Sequence, residues 1–227
     1  MTVRDARDED AYGDPAAATP DPLPGGAARA AWRPRVVHEA VPMDLVEAEK
    51  AAAQLLTALG QPVHGPHMAE TPRRMAHAYA ELLTVGAFDL TTFPNDEAYD
   101  ELVLARDIPV RSVCEHHMLP FVGVAHVGYL PDERILGLSK LARVVELHAH
   151  RPQVQERLTT QVADWLHAHL RPRGVGVVVE AEHTCMTLRG VRAAGTTTIT
   201  SSVRGAMRDD PRSRAEFLAL TTGGRHG

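Results

Sequence analysis

Apolar residues recur at helical spacing in the first third of this chain and as short β-favouring runs beyond it. Leu45, Ala48, Ala52, Leu55 and Leu59 line one face of a helix that Gly60 stops. Thr71-Pro72 predicts an N-cap followed by proline in the first turn of a second helix. Met75, Ala78, Tyr79, Leu82 and Leu83 give that helix its apolar face, and Gly86 ends it. The two helices are expected to pack together. From Glu101 the pattern shortens. Leu102-Val-Leu104 and Ile108-Pro-Val110 read as two short strands, and Val122 to Leu130 as a longer one. Ser139 is expected to cap a helix with Leu141, Val144 and Val145 inward. Beyond Pro152 another helix carries Val154, Leu158, Val162, Trp165 and Leu166. An apolar strand over 177–181 and a Thr-rich strand over 196–203 follow, and Asp210-Pro211 caps a final helix holding Phe217 and Leu218.

Helices, strands, helices, strands and a last helix predict an α+β fold rather than an alternating doubly wound sheet. No repeat of solenoid length is present. Residues 1–38, rich in Ala, Pro, Gly and Asp with no hydrophobic period, read as a disordered N-terminal arm. Residues 39–95 read as an N-terminal helical extension and 96–227 as the catalytic domain.

Composition removes several classes of function. The balance of 24 Lys plus Arg against 29 Asp plus Glu lacks the basic excess of a duplex binder. At 4% aromatic, the chain has few platforms for stacking single-stranded bases, so no nucleic-acid partner is expected. No apolar run reaches the ~18 residues that would span a bilayer, and the N-terminus is acidic where a signal peptide is basic. Two cysteines make no disulfide framework. A cytoplasmic protein without a membrane partner is the expectation.

The chemistry concentrates in Ser112-Val-Cys-Glu-His-His-Met-Leu-Pro120, where Cys114 and His117 stand three apart with His116 between them. The other cysteine, Cys185, ends Glu182-His-Thr-Cys185. Two thiolates and an imidazole suit zinc and leave its fourth position open for catalysis. A structural zinc completed by His116 or His183, or two plain buried thiols, are the alternatives. Both histidines flank the ligand candidates and suit proton transfer. Lys140 and Arg143 share a face near a helix N-terminus beside Ser139, and Arg189 follows Cys185 closely. They form either a solvated basic face or a phosphate site, to which Arg74 adds charge if another subunit delivers it. Glu156 is either a dipole-stabilising residue at a helix start or an acceptor for the two donors of a guanine edge.

These motifs, together with Gly137-Leu-Ser-Lys-Leu-Ala-Arg143, Arg151-Pro-Gln-Val-Gln-Glu-Arg-Leu158 and Arg189-Gly190, closely resemble GTP cyclohydrolase I from about Met43 to Leu220. The resemblance implies a T-fold, an antiparallel sheet backed by helices, assembled as a toroidal homodecamer with active sites between subunits. It implies zinc-dependent conversion of GTP and water to formate and 7,8-dihydroneopterin triphosphate, the first step of pterin and tetrahydrofolate biosynthesis. By position, Cys114, His117 and Cys185 match the zinc (Zn2+) ligands, and His116 and His183 the proton-transfer histidines. Glu156, with Gln155 beside it, matches the guanine anchor. Ser139, Lys140, Arg143 and Arg189 match ribose and triphosphate contacts, and Arg74 an arginine from a neighbouring subunit. The chain departs from the family pattern over 62–68 and at His150, where arginine is common.

Overall fold

A computed structural model describes residues 35–36 and 42–222. The expectation of a disordered arm over 1–38 therefore lies outside the described residues, except at β1 (Arg35–Val36), which pairs with β2 (Phe88–Asp89). The helices α1 (Leu45–Ala58) and α2 (Thr71–Leu82) form and pack together as the periodicity requires. Asp44 caps α1 by accepting from the Glu47 amide at 3.0 Å. The second cap falls one residue earlier than Thr71: Glu70 is the N-cap of α2 and Thr71 its first residue, with Pro72 in the first turn. Only Ala52 of α1 and Pro72 and Ala76 of α2 are buried, so this pair contributes little to the core of the chain.

The core lies under a five-stranded sheet ordered β7-β4-β5-β8-β9. Its strands are β4 (Val103–Cys114), β5 (Leu119–Leu130), β7 (Pro152–Gln153), β8 (Gly174–His183) and β9 (Thr198–Gly205). All pairings are antiparallel except the short parallel contact of β7 with the end of β4. The two expected strands at 102–104 and 108–110 are one strand, broken in register between Ala105 and Ile108 where Asp107 adopts a φ of 55°. A bulge of this kind leaves one residue unpaired and turns the strand without ending it. Pro109 fits because β7 meets β4 only at Val113 and Cys114, leaving the proline at a locally free edge. Two further strands, β3 (Thr92–Pro94) and β6 (Arg134–Leu136), pair with each other.

Helices α3 (Ser139–Ala149) and α4 (Gln155–Leu170) cover one face of the sheet. Leu141, Val144, Val145 and Leu147 of α3, with Leu158, Val162 and Leu166 of α4, are buried with Val110, Phe121, Val127 and Val177 from the strands. Each such side chain contributes about 1.5–3 kcal/mol on burial. The start of α3 differs from expectation, since Leu138 is its N-cap and Ser139 its first helical residue. The chain already turns at Gly137, whose carbonyl accepts from the Lys140 amide at 2.8 Å. Past β9, α6 (Ala206–Asp209) leads to α7 (Pro211–Thr222). Asp210 caps α7 as expected, accepting from the Arg212 and Ser213 amides at 3.1 Å each. Phe217 of α7 closes over Gly176, where an added methyl would lie 2.7 Å from the ring, so this packing requires glycine. An antiparallel sheet backed by helices fits the α+β expectation from the element order and is the T-fold arrangement that the family resemblance implies.

Candidate active site

Three chain segments meet at one corner of the sheet. The hairpin between β4 and β5 runs through Glu115–Met118, with Cys114 paired to Leu119. It closes as a tight turn in which the Met118 amide donates to the Cys114 carbonyl at 2.8 Å, and Met118 takes a φ of 53°. Its flank is fixed by the Glu115 amide, which donates to the Gln153 carbonyl of β7 at 3.0 Å. The Arg157 guanidinium of α4 also binds the Glu115 carboxylate. Tyr79 of α2 donates to the Met118 carbonyl at 2.9 Å. The second segment is the end of β8, whose last residue His183 pairs with Phe121 of β5. The third is the short helix α5 (Thr184–Thr187), which carries Cys185 and is tied down where Thr184 donates to the Pro120 carbonyl at 2.6 Å.

This meeting of strands places Cys114 Sγ 3.8 Å from Cys185 Sγ, both as buried free thiols. Zinc–sulfur bonds of about 2.3 Å at a tetrahedral angle require sulfurs about 3.8 Å apart. The spacing therefore fits a metal centre. Among the described residues, Cys114, His183 and Cys185 bring ligand atoms to within 4.8 Å of one another, a group able to hold a metal ion. His117 lies alongside, with Nδ1 3.9 Å from Cys114 Sγ and Nε2 3.3 Å from a guanidinium nitrogen of Arg189. His116 also places Nδ1 3.9 Å from Cys114 Sγ, its ring edge-on to that of His117. The structure thus brings five expected site residues, Cys114, His116, His117, His183 and Cys185, around one point. Chain spacing alone pairs Cys114 with His117, whereas the β5–β8 register is what carries His183 in.

The ring of His183 stacks on Phe121 with centroids 4.5 Å apart and planes 11° from parallel. Burial pushes its pKa below the ordinary imidazole range, partly opposed by the carboxylate of Glu156. The ring is consequently neutral at pH 7, the form that binds metal or accepts a proton. Burial also raises the Cys185 thiol, and its contact with Cys114 raises it further. Metal capture has to displace that proton, so affinity rises with pH. Adding zinc to chelator-stripped protein in weak buffer is expected to acidify the solution by at least about one proton per ion. A pH indicator reads this directly, and loading without proton release would place the ion away from Cys185.

The remaining expected residues lie on α2, α3 and α4. Glu156 is exposed in the first turn of α4, while its neighbour Gln155 is buried and turns its amide inward. Ser139, Lys140 and Arg143 occupy the first turns of α3, where Arg143 pairs with Glu146 at 2.8 Å. Arg74 is exposed on α2. Among the described contacts, none ties Ser139, Lys140, Arg143 or Arg74 to the thiols. His150 caps the end of α3, its Nδ1 2.7 Å from the Thr84 carbonyl oxygen, so it joins the helical extension to the sheet layer. Phe121, Arg157 and the threonines of β9 were not singled out from sequence. Their roles depend on strand register, and only the Thr-rich character of β9 carried any signal.

Comparison with known proteins agrees with this geometry. The family model described as GTP cyclohydrolase I matches residues 48–222. The GTP cyclohydrolase 1 of Thermobifida fusca is 52% identical over 188 residues, covering 81% of this chain and 91% of that one. The GTP cyclohydrolase 1 of Streptomyces avermitilis is 55% identical over 182 residues, covering 78% and 90%. Among solved structures, the archaeosine synthase QueF-Like in the apo form aligns with a TM-score of 0.37 at 20% identity, over 46% of this chain and 93% of that one. That likeness is slight, and the fold assignment rests on the strand order described above. With a family model spanning the sheet, both cysteine segments and every helix but the first turn of α1, this chain belongs to the GTP cyclohydrolase I family.

Proposed function

We propose that the chain is a zinc-dependent GTP cyclohydrolase I, converting GTP and water to formate and 7,8-dihydroneopterin triphosphate. The observation that carries this reading is the 3.8 Å thiol pair with His183, His116 and His117 around it, at the corner where α4 carries Glu156 in its first turn. Cys114, Cys185 and His117 are the ligands proposed for zinc, with His183 near enough to take part. Zinc bound there supplies Lewis-acid activation of water near neutral pH.

The chain's own residues account for the rest of the reaction. The Glu156 carboxylate is exposed and free to accept the N1–H and N2–H of a guanine, with Gln155 beside it in the chain. Anchored by that edge, the purine is held with its imidazole ring toward the metal corner. His183, neutral and fixed by stacking, accepts or returns the proton at the opening ring, and His116 serves the second hydrolysis that releases formate. Ser139, Lys140, Arg143 and Arg189, with Arg74 from a neighbouring subunit of a homodecamer, bind ribose and triphosphate. No described helix is long and apolar enough to cross a membrane, in keeping with a cytoplasmic enzyme. The helices of residues 39–95 serve as an extension to the catalytic domain of 96–227.

Incubation with GTP is expected to yield formate and, after oxidation, fluorescent neopterin, and a chelator should stop both. Nucleotide binding without turnover by zinc-replete protein would overturn the assignment. Glu156→Gln takes the charge from one acceptor and replaces the other with an NH2 donor that faces a guanine N–H. Its loss is expected to cost about 3 kcal/mol, roughly 10²-fold in kcat/KM for GTP. Steady-state kinetics with GTP and ITP separate this from a general defect, since ITP lacks the N2 donor and should be less affected.

A further inference from the structure

Gln155 is the first residue of α4 and only 2% exposed. Its amide nitrogen lies 3.0 Å from the Val179 carbonyl oxygen, 2.9 Å from that of Thr198 and 3.1 Å from Thr200 Oγ1. Two of these three neighbours are carbonyl oxygens with no hydrogen to give. Turning the amide over would set oxygen against oxygen twice, so its orientation is dictated by β8 and β9. Thr159 reinforces the arrangement: its hydroxyl donates to the main-chain carbonyl of Gln155 at 2.7 Å, so across the 2.6 Å contact Thr200 is the donor and its own oxygen stays free to accept from the Gln155 amide.

The amide oxygen is therefore the end that meets His183, 2.8 Å from Nε2. An amide oxygen only accepts, so Nε2 must carry a hydrogen. A neutral ring protonated at Nε2 keeps its lone pair on Nδ1. We propose that Gln155 is a positioning residue that locks His183 in the Nε2–H tautomer, leaving Nδ1 as the nitrogen able to hold a metal ion or take a proton. This inference rests on the catalytic reading of the site and deepens it. The consecutive residues Gln155 and Glu156 divide the work at one helix start. One faces inward to set the imidazole, and the other faces outward toward substrate.

The test uses full-length protein as purified, labelled with 13C,15N-histidine and measured by magic-angle-spinning NMR above the imidazole titration range. The His183 signals are those lost in His183→Asn. The protonated ring nitrogen should correlate with Cδ2, which identifies it as Nε2, and a proton on Nδ1 would overturn the proposal. In Gln155→Leu both tautomers should appear. The kcat should fall about 10–100-fold, as when other supporting partners are lost, with KM for GTP within about twofold. A KM rise at unchanged kcat, or an unchanged single tautomer, would overturn the lock in favour of direct substrate contact. Should Gln155→Leu fail to fold, the parent spectrum still decides the matter. Because the spectrum needs no turnover, an Nε2–H signal from protein that leaves GTP intact would reject the function and keep the lock.

Discussion

Cys185→Ala is expected to abolish metal retention and GTP turnover together while the protein stays folded. The side chain belongs to a four-residue helix whose position is set by Thr184 on the Pro120 carbonyl and by the end of β8. Removing its sulfur therefore leaves the corner in place but takes away one of two thiolates spaced for a tetrahedral ion. The loss in kcat should exceed the roughly 10²-fold typical when only a supporting partner of a metal ligand is removed. His183→Ala is the informative companion. With Cys114, His117 and Cys185 intact, zinc should remain bound while kcat falls about 10²–10⁴-fold, the range of a general acid–base group. Metal analysis and kinetics on the two variants give the answer. Zinc lost from His183→Ala would make His183 the third ligand and leave His117 to Arg189.

Gly123→Ala should have the largest effect on stability. Gly123 pairs with Ala181 across β5 and β8, two pairs along the ladder from Phe121 and His183. A methyl group there would lie 2.5 Å from the Ala181 Cα and 2.8 Å from its Cβ, and would also collide with the Glu180 carbonyl oxygen. Two of these obstacles are backbone, which no rotamer change relieves. The strands must separate locally, in the centre of the sheet, and a cost of about 4 kcal/mol or more follows. Denaturant unfolding with and without zinc checks this. The apparent zinc affinity should drop as well, because the same ladder delivers His183 and α5 to the thiol of Cys114. A change in unfolding free energy below about 1 kcal/mol would mean that β5 and β8 are not packed as described.

Much of the fold was legible because periodicity is a local property. The apolar faces of α1, α2, α3 and α4 stand in the chain at helical spacing, and so do the apolar runs of β5 and β8. Boundaries were less legible. Thr71 and Ser139 have the right chemistry for caps, yet the preceding residues already turn, and the helices begin one position sooner. Leu102–Leu104 and Ile108–Val110 looked separate because Asp107 and Pro109 interrupt the run, and a bulge absorbs that interruption only when a partner strand exists. In the site, the residues of the Cys114–His117 turn were readable as a unit. What sequence spacing could not convey is that Phe121 stacks on His183, or that a buried glutamine reaches β9. The first depends on the register of β5 with β8, and the second on the start of α4 meeting a strand more than forty residues further along the chain. The family resemblance supplied site residues by position, and the structure adds the contacts that hold them.

The outer position of β9 in the sheet has a consequence for how the protein loses activity. Among the described residues β9 is paired only to β8, and it supplies the Thr198 carbonyl and Thr200 hydroxyl that hold the Gln155 amide. An outer strand opens at lower free energy than the sheet centre, so its amides should exchange hydrogen for deuterium before those of β5. Every such opening frees the glutamine, and with it the proton on His183. Warming should then silence turnover at a temperature set by the fraying of one strand, while the hydrophobic core beneath α3 and α4 is still intact.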